Sequence, residues 1–168
     1  MGLDMYLHRD YAISAYSSLA KAGDEGDASL ARYSKEFAQA QQLAPILGAP
    51  LPEDGGTITV SWPVGYWRKA NAIHKWFVDN IGGGVDECQP MQVSKEQLAE
   101  LLGLCVRVQN DHSLAGELLP TGSGFFFGST EYDWYYFADI TQTIIILKGA
   151  LDGVGEDTWP SWTYQASW

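Results

Sequence analysis

Hydrophobic and polar residues alternate at the start of the chain and again near its end. Leu3, Met5 and Leu7 are separated by polar or aromatic residues. Alternation with a period of two is typical of a strand with one buried face. We therefore expect a first strand here, a second strand over residues 57–62, and an edge strand over 162–168 that carries the chain to its last residue.

Longer stretches repeat with the period of an α-helix. The stretch 63–81 opens on a proline and a glycine and predicts one amphipathic helix. Its apolar stripe would consist of Tyr66, Ala70, Ile73, Phe77 and Ile81. Further helices are predicted at residues 28–47, 94–110, 114–119 and 130–151, the last of them central because it is apolar over most of its circumference. Capping-box patterns begin two of them: Ser94 with Gln97, and Thr130 with Asp133.

This order of elements lacks strict strand–helix–strand alternation. It predicts an α+β fold with a small mixed or antiparallel sheet and helices packed on one face. A chain of 168 residues can bury one sizeable core, so we expect a single domain over residues 1–168. No apolar run approaches the roughly 20 residues of a membrane span, and the first residues lack the basic and apolar blocks of a signal peptide.

The charge of the chain limits which classes of partner it can bind. A formal net charge of −11 disfavours contact with extended nucleic acid, which needs clustered cations. Three of the ten basic residues, Arg68, Lys69 and Lys75, fall within the helix predicted at 63–81. They form either a solvated helix face or an anion site strengthened by the helix dipole.

One flank of the same predicted helix carries Trp67, Asn71 and His74. An indole can stack on a base, an amide can read a base edge, and an imidazole can donate, accept or carry charge. These three residues would form a ligand site at the edge of the core. The alternative is a structural histidine; a metal site is not predicted, because His8, His74 and His112 lack ligand spacing.

A second candidate site lies at residues 124–136. The hydroxyl groups of Ser129 and Thr130, with free backbone N–H groups, could hold a carboxylate or a phosphate. The aromatic residues that would cover this anion are Phe126, Tyr132 and Trp134. Glu131 and Asp133 would instead suit ribose hydroxyls or exocyclic amines, and the alternative is a plain core with an N-cap.

Catalytic arrangements have little support in the sequence. Cys88 and His74 could pair as a nucleophile and base, but acidic neighbours should raise the thiol pKa. Asp4, Asp133 and Asp139 could supply paired carboxylates for hydrolysis. The chain has no phosphate-binding loop, dinucleotide fingerprint or zinc-protease pattern. No catalytic residue and no cofactor is therefore predicted, and the two cysteines, Cys88 and Cys105, are expected to be reduced thiols.

Three longer motifs are similar to those of a known protein family. With MGLDMYL at 1–7, GYWRKANAIHKWFV at 65–78 and GFFFGSTEYD at 124–133, the chain resembles a family of small, uncharacterised phage and prophage proteins. The resemblance covers most of the chain and implies a variable insertion at about 20–56. It also implies a phage-encoded protein that acts in the host bacterial cytoplasm, where small non-structural phage proteins are often anti-defence factors.

Together these features predict a protein that binds a small anionic, base-containing molecule. Such a protein would sequester a nucleotide signal of host defence. The expected ligand contacts are Trp67, Arg68, Lys69, Asn71, His74, Phe126, Ser129, Thr130 and Tyr132. Two alternatives remain open: a protein–protein inhibitor of a host defence factor, and a small hydrolase with His74 as base. No membrane partner is expected. Because Trp159, Trp162 and Trp168 crowd the terminal strand, a homo-oligomer is expected.

Overall fold

The structure is a computed structural model that describes residues 2–27, 29–124, 127–152 and 160–168. The elements in chain order are β1 (Asp4–Ser14), α1 (Ser17–Asp24), α2 (Ala31–Ile46), β2 (Thr57–Arg68), α3 (Asn71–Asn80), β3 (Met91–Val93), α4 (Lys95–Asn110), α5 (Ala115–Leu118), α6 (Trp134–Leu151) and β4 (Ser161–Ser167). A 3-10 turn, His112–Leu114, precedes α5. The four strands form an antiparallel sheet, which confirms the predicted α+β fold.

The strand order in the sheet is β2-β1-β4-β3. The three residues of β3 pair with β4 in antiparallel register, with Met91 opposite Tyr164 and Val93 opposite Trp162. The prediction that the C-terminal strand lies at an edge is therefore wrong, because β3 covers its outer side. Trp162 is buried in the core, and Trp159 lies outside the described residues.

The chain divides into two compact units, one of residues 1–9 with 62–168 and the other of residues 10–61. In the second unit, α1 packs against α2, and the Ser34 hydroxyl donates to the carbonyl of Ala20 at 2.9 Å. The insertion predicted at 20–56 lies within this unit. The single-domain organisation stays a prediction.

The core of the first unit lies between one face of the sheet and the helices α3, α4 and α6. On β1, Leu3, Met5 and Leu7 are fully buried while Tyr6 is exposed, so the period-two pattern was interpreted correctly. Residues from the three helices join the same cluster: Ile73, Phe77, Leu98, Leu101, Ile140 and Leu147. Among the described residues, no helix is both long enough and apolar enough to cross a bilayer.

The helix predicted at 63–81 begins only at Asn71, so the first part of that prediction is wrong. Residues 63–68 continue β2 instead. Pro63 is compatible with this assignment because β2 is an edge strand of the sheet, where strand prolines are found. Gly65 allows a close approach of α6, since a Cβ at this position would lie 2.5 Å from Cγ2 of Ile146.

Side-chain caps fix the starts of two helices. Ser94 and Gln97 form the predicted capping box of α4, with bonds of 3.2 and 2.9 Å. The box predicted between Thr130 and Asp133 is wrong. Asp133 is itself the N-cap of α6, and its Oδ1 accepts from the backbone N–H groups of Tyr135 and Tyr136. Aspartate and threonine can both serve as the N-cap of a helix, which is why the pattern placed the start of α6 at the wrong residue.

Candidate ligand-binding cleft

A sharp turn joins β2 to α3. Lys69 has a positive φ of +62°, unusual for a residue with a side chain. The N–H of Asn71 donates to the carbonyl of Lys69 at 2.8 Å around Ala70, whose φ and ψ of −75° and 71° are those of an inverse γ-turn. The N–H of Lys69 is held by the carbonyl of Leu3 at 2.8 Å. This turn therefore places two cations, Arg68 and Lys69, directly before the first turn of α3.

Asn71 fastens a second segment against this turn. Its side chain is only 5% exposed, and the amide donates to the carbonyls of Phe127 at 3.2 Å and Ser129 at 2.6 Å. Gly128 lies between them with a φ of +91°, and a Cβ there would lie 3.4 Å from Cβ of Lys69. The segment 127–129 thus packs directly on the turn and forms a wall beside it.

The turn, this wall and the start of α6 enclose a cleft of about 360 Å³. Its lining comes from three stretches of chain: Arg68–Ile73, Gly128–Asp133 and Tyr135–Ile140, represented by Arg68, Lys69, Asn71, Ser129, Glu131, Asp133, Tyr135 and Asp139. Four of the predicted ligand contacts, Arg68, Lys69, Asn71 and Ser129, therefore line one cleft. Whether they bind a ligand stays a prediction.

Charges of both signs line the cleft without pairing. Arg68 and Lys69 are exposed, and neither forms an ion pair within the described part of the chain. The opposing carboxylates belong to Glu131, Asp133 and Asp139. A cleft that keeps its own charges apart leaves both signs available to a bound molecule.

Asp139 is the most perturbed of these carboxylates. Burial, and then the negative charge of Asp133, raise the pKa of Asp139 to about 6. Among the described residues, no donor forms a hydrogen bond to its carboxylate. A partly buried acid without a partner and with a pKa near neutrality is typical of functional clefts.

The first turn of α3 adds a positive end to the cleft wall. The N-cap of this helix is Ala70, whose side chain cannot accept a hydrogen bond, and Ala72 and Ile73 line the cleft. The first four N–H groups of a helix have no partner within the helix and carry its positive partial charge. This end of the cleft therefore suits an anion.

Trp67 does not reach the cleft. Its indole is 3% exposed, and Nε1 donates to the hydroxyl of Thr143 on α6 at 2.9 Å. Because residue 67 lies on a strand and not on a helix, its side chain points to the buried face of the sheet. The prediction that Trp67 shares a hollow with Asn71 and His74 is wrong for this reason.

His74 is also absent from the lining. It is 1% exposed, with Nδ1 at 2.8 Å from the Tyr164 hydroxyl and Nε2 at 3.0 Å from Oδ2 of Asp86. The ionised carboxylate can only accept, so Nε2 carries a proton, and in the neutral ring Nδ1 accepts from the phenol. Burial, then Asp86 and Cys88, raise the pKa of Tyr164, which keeps that phenol protonated. Both ring nitrogens form hydrogen bonds within the protein, so neither is available to a substrate, and the geometry does not favour the hydrolase alternative.

Ser129 lines the cleft with its hydroxyl already engaged, and the remaining predicted contacts lie outside the lining or outside the described residues. The Ser129 hydroxyl accepts from the N–H of Glu131 at 3.1 Å, so it is engaged in a local turn. Thr130 and Tyr132 are not among the lining residues; the Tyr132 ring packs against Tyr136 at 5.0 Å. Phe126 lies outside the described residues.

The expected ligand contacts left out the α6 side of the cleft, where Tyr135 was not considered and Asp139 was considered only as a carboxylate for hydrolysis. Tyr135 is 71% exposed, and it and Asp139 are one helical turn apart on α6. The spacing of four residues was visible in the sequence. It carried no signal, because a helix that is apolar over most of its circumference does not reveal which of its aromatic residues is outside.

Within the described residues, no group of three or more His, Cys, Asp or Glu side chains is arranged to hold a metal ion. No protein-family model, curated protein or solved structure matches this chain.

Proposed function

We propose that the chain binds a small anionic, base-containing molecule of nucleotide size in the cleft between β2, α3 and α6. The observation that carries this proposal is the unpaired charge of both signs that lines one cavity, with Arg68 and Lys69 before α3 and Asp139 on α6. The volume of about 360 Å³ is at the lower end of the roughly 300–1,000 Å³ typical of small-molecule sites. It suits a metabolite and not an extended polymer.

Each wall has a distinct part in this binding. Arg68, Lys69 and the N–H groups of Ala72 and Ile73 at the start of α3 would hold the anionic group. The exposed ring of Tyr135 would stack on the base, a contact worth about 1–3 kcal/mol. Charge-assisted hydrogen bonds contribute about 1.5–3 kcal/mol each. Several such contacts support an affinity in the micromolar range, near 8 kcal/mol.

The biological part of the proposal comes from the resemblance to phage proteins. The bound molecule would be a nucleotide signal of host defence, and binding would sequester it in the host cytoplasm. Mass spectrometry of the small molecules that leave the purified protein on denaturation tests this part. A nucleotide recovered intact supports sequestration, whereas a cleaved product would contradict it.

Titration calorimetry tests the binding itself. Wild-type protein is titrated with linear and cyclic nucleotides, and heat is expected for at least one of them. Neutralisation by Arg68→Gln or Lys69→Gln should weaken binding roughly tenfold to hundredfold, because each removes a charge-assisted contact. Arg107→Gln, an exposed cation at the end of α4, is the matched control and should bind as wild type does. Absence of heat with every nucleotide, and no bound molecule in the purified protein, would refute the proposal.

A second candidate function, inhibition of a host protein, is favoured by one observation. Trp134 is 75% exposed beside Tyr135, and the two rings pack edge to face at 5.1 Å. Exposed tryptophan and tyrosine are typical of interface hot spots. Substitutions at these two residues distinguish the two candidate functions. Trp134 does not line the cleft, so Trp134→Ala should spare nucleotide binding, whereas Tyr135→Ala should weaken it.

A further inference from the structure

The two charged parts of the cleft are held by different elements. Arg68 ends β2 and Lys69 lies in the turn that follows, whereas Asp139 belongs to α6. Oppositely charged side chains that share a cavity would pair if they came within about 4 Å. Neither cation pairs with Asp139 or Glu131 within the described chain. The turn with Arg68 and Lys69 forms the cationic end of the cleft, and α6 with Asp139 forms its acidic end.

An anionic group can occupy only one end of such a cleft. Near Asp139 and Glu131 a phosphate would be repelled, so it belongs with Arg68 and Lys69. An ionised carboxylate has no hydrogen to give and only accepts hydrogen bonds. The part of the ligand that faces Asp139 must therefore present a donor, and a carbonyl oxygen there would leave two acceptors facing each other.

The shape of the acidic end indicates what carries this donor. Tyr135 and Asp139 line the same side of α6, one helical turn apart. A flat ring stacked on the phenol of Tyr135 would bring the substituents on its edge toward the carboxylate. The donor is then an N–H group on the edge of an aromatic ring, either an amino substituent or a ring N–H.

We infer that the cleft selects nucleotides whose base presents an N–H donor on its edge over those whose base presents only acceptors, with the donor facing Asp139 and the phosphate held by Arg68 and Lys69. This inference rests on the proposed function and specifies the class of ligand. Asp139 thereby sets specificity, while Arg68 and Lys69 set affinity.

Matched nucleotide pairs test the inference on the wild-type protein. Titration calorimetry at pH 8 compares adenosine monophosphate with purine riboside monophosphate, which lacks only the 6-amino group, and inosine monophosphate with 1-methylinosine monophosphate, whose ring N–H is blocked. We expect the member that keeps its N–H donor to bind at least about tenfold more tightly. Adenosine without phosphate should bind more weakly than its monophosphate, because it leaves the cationic end empty.

Two substitutions separate specificity from affinity. Asp139→Asn offers both a donor and an acceptor, so the preference within each pair should fall to about threefold or less. Arg68→Gln should weaken both members alike and keep the preference. Asp79→Asn, an exposed carboxylate on α3 that pairs with Lys75, is the matched control and should change neither.

Each outcome bears on a different statement. Equal binding of the two members of each pair by wild-type protein would overturn the inference and leave the proposed function standing. A preference that Asp139→Asn leaves intact would also overturn it. If none of the nucleotides binds, the inference fails together with the proposed function.

Discussion

Replacement of Asp139 by asparagine should stabilise the protein at pH 8, although it removes a charged residue from the core edge. The ordinary pKa of 3.8 is raised to about 6, first by burial and then by Asp133. The charged residues that line the cleft with it are Asp133, Glu131, Arg68 and Lys69. The folded protein therefore disfavours the ionised form of this side chain.

The magnitude follows from the shift in pKa. A difference of about 2 units at about 1.36 kcal/mol each gives an upper value of about 3 kcal/mol. Asp139 keeps part of its exposure to solvent, which screens the charge, so about 1–2 kcal/mol is the expected cost. For a chain of this size that free energy corresponds to about 2–4 °C in Tm for each kcal/mol.

The sign and the pH window follow from proton binding. Between about pH 4 and pH 6 the folded state holds more protons on Asp139 than the unfolded state, so the free energy of unfolding falls as the pH rises. Above about pH 6 the full cost is present. Asparagine cannot ionise, so Asp139→Asn should gain about 1–2 kcal/mol at pH 8 and almost nothing at pH 4.

Urea denaturation at pH 4, 6 and 8 measures this difference directly. Glu100→Gln, an exposed position on α4, serves as the control and should stay near wild type at every pH. A carboxyl-carbon NMR titration gives the pKa of Asp139, which should fall when Asp133→Asn removes the neighbouring charge. The reasoning is refuted if Asp139→Asn has the same effect on stability at pH 4 and pH 8, or if the titration midpoint lies near 4.

Two further predictions concern packing. Tyr164→Phe should lower the free energy of unfolding by about 1–3 kcal/mol, because it leaves Nδ1 of the buried His74 without a partner; thermal melts measure it, and an unchanged Tm would show that the bond contributes nothing. Gly65→Ala should cost about 1–3 kcal/mol by forcing a methyl group against Ile146. By contrast, Gly103→Ala on α4 meets no atom within 4 Å and should stabilise by about 0.5–1 kcal/mol; equal effects of the two alanines would contradict the packing argument.

Much of the fold could be predicted from local patterns. The alternation at Leu3, Met5 and Leu7 and the capping box at Ser94 depend on neighbouring residues, so the sequence contains their causes. The start of α3 could not be found in this way. Pro63 and Gly65 resemble a helix boundary, and only the position of β2 at the sheet edge and its contact with α6 explain them as strand residues.

The cleft was predictable only where it depends on chain neighbours. Arg68, Lys69 and Asn71 are adjacent at a turn, so an error in the secondary structure still left them together. Trp67 was separated from them because it lies on a strand, where its side chain faces the core, whereas on a helix residues 67, 71 and 74 would share a flank. His74 stays on α3 with Asn71, but its ring is held in the core by Tyr164 and Asp86. The contribution of α6 required tertiary contacts between segments about 60 residues apart, for which a single sequence has no local signal.

The contact between Gly65 and Ile146 sets how far apart the two sides of the cleft stand. At Gly65 only the Ile146 side chain lies between the strand and the helix, and the bond from Trp67 to Thr143 joins the two again, so they cannot separate easily. The distance between Arg68 and Asp139 is then nearly fixed. Among ligands with the same chemical groups, the cleft would select those in which the groups are the matching distance apart, and the protein would lose little conformational entropy on binding.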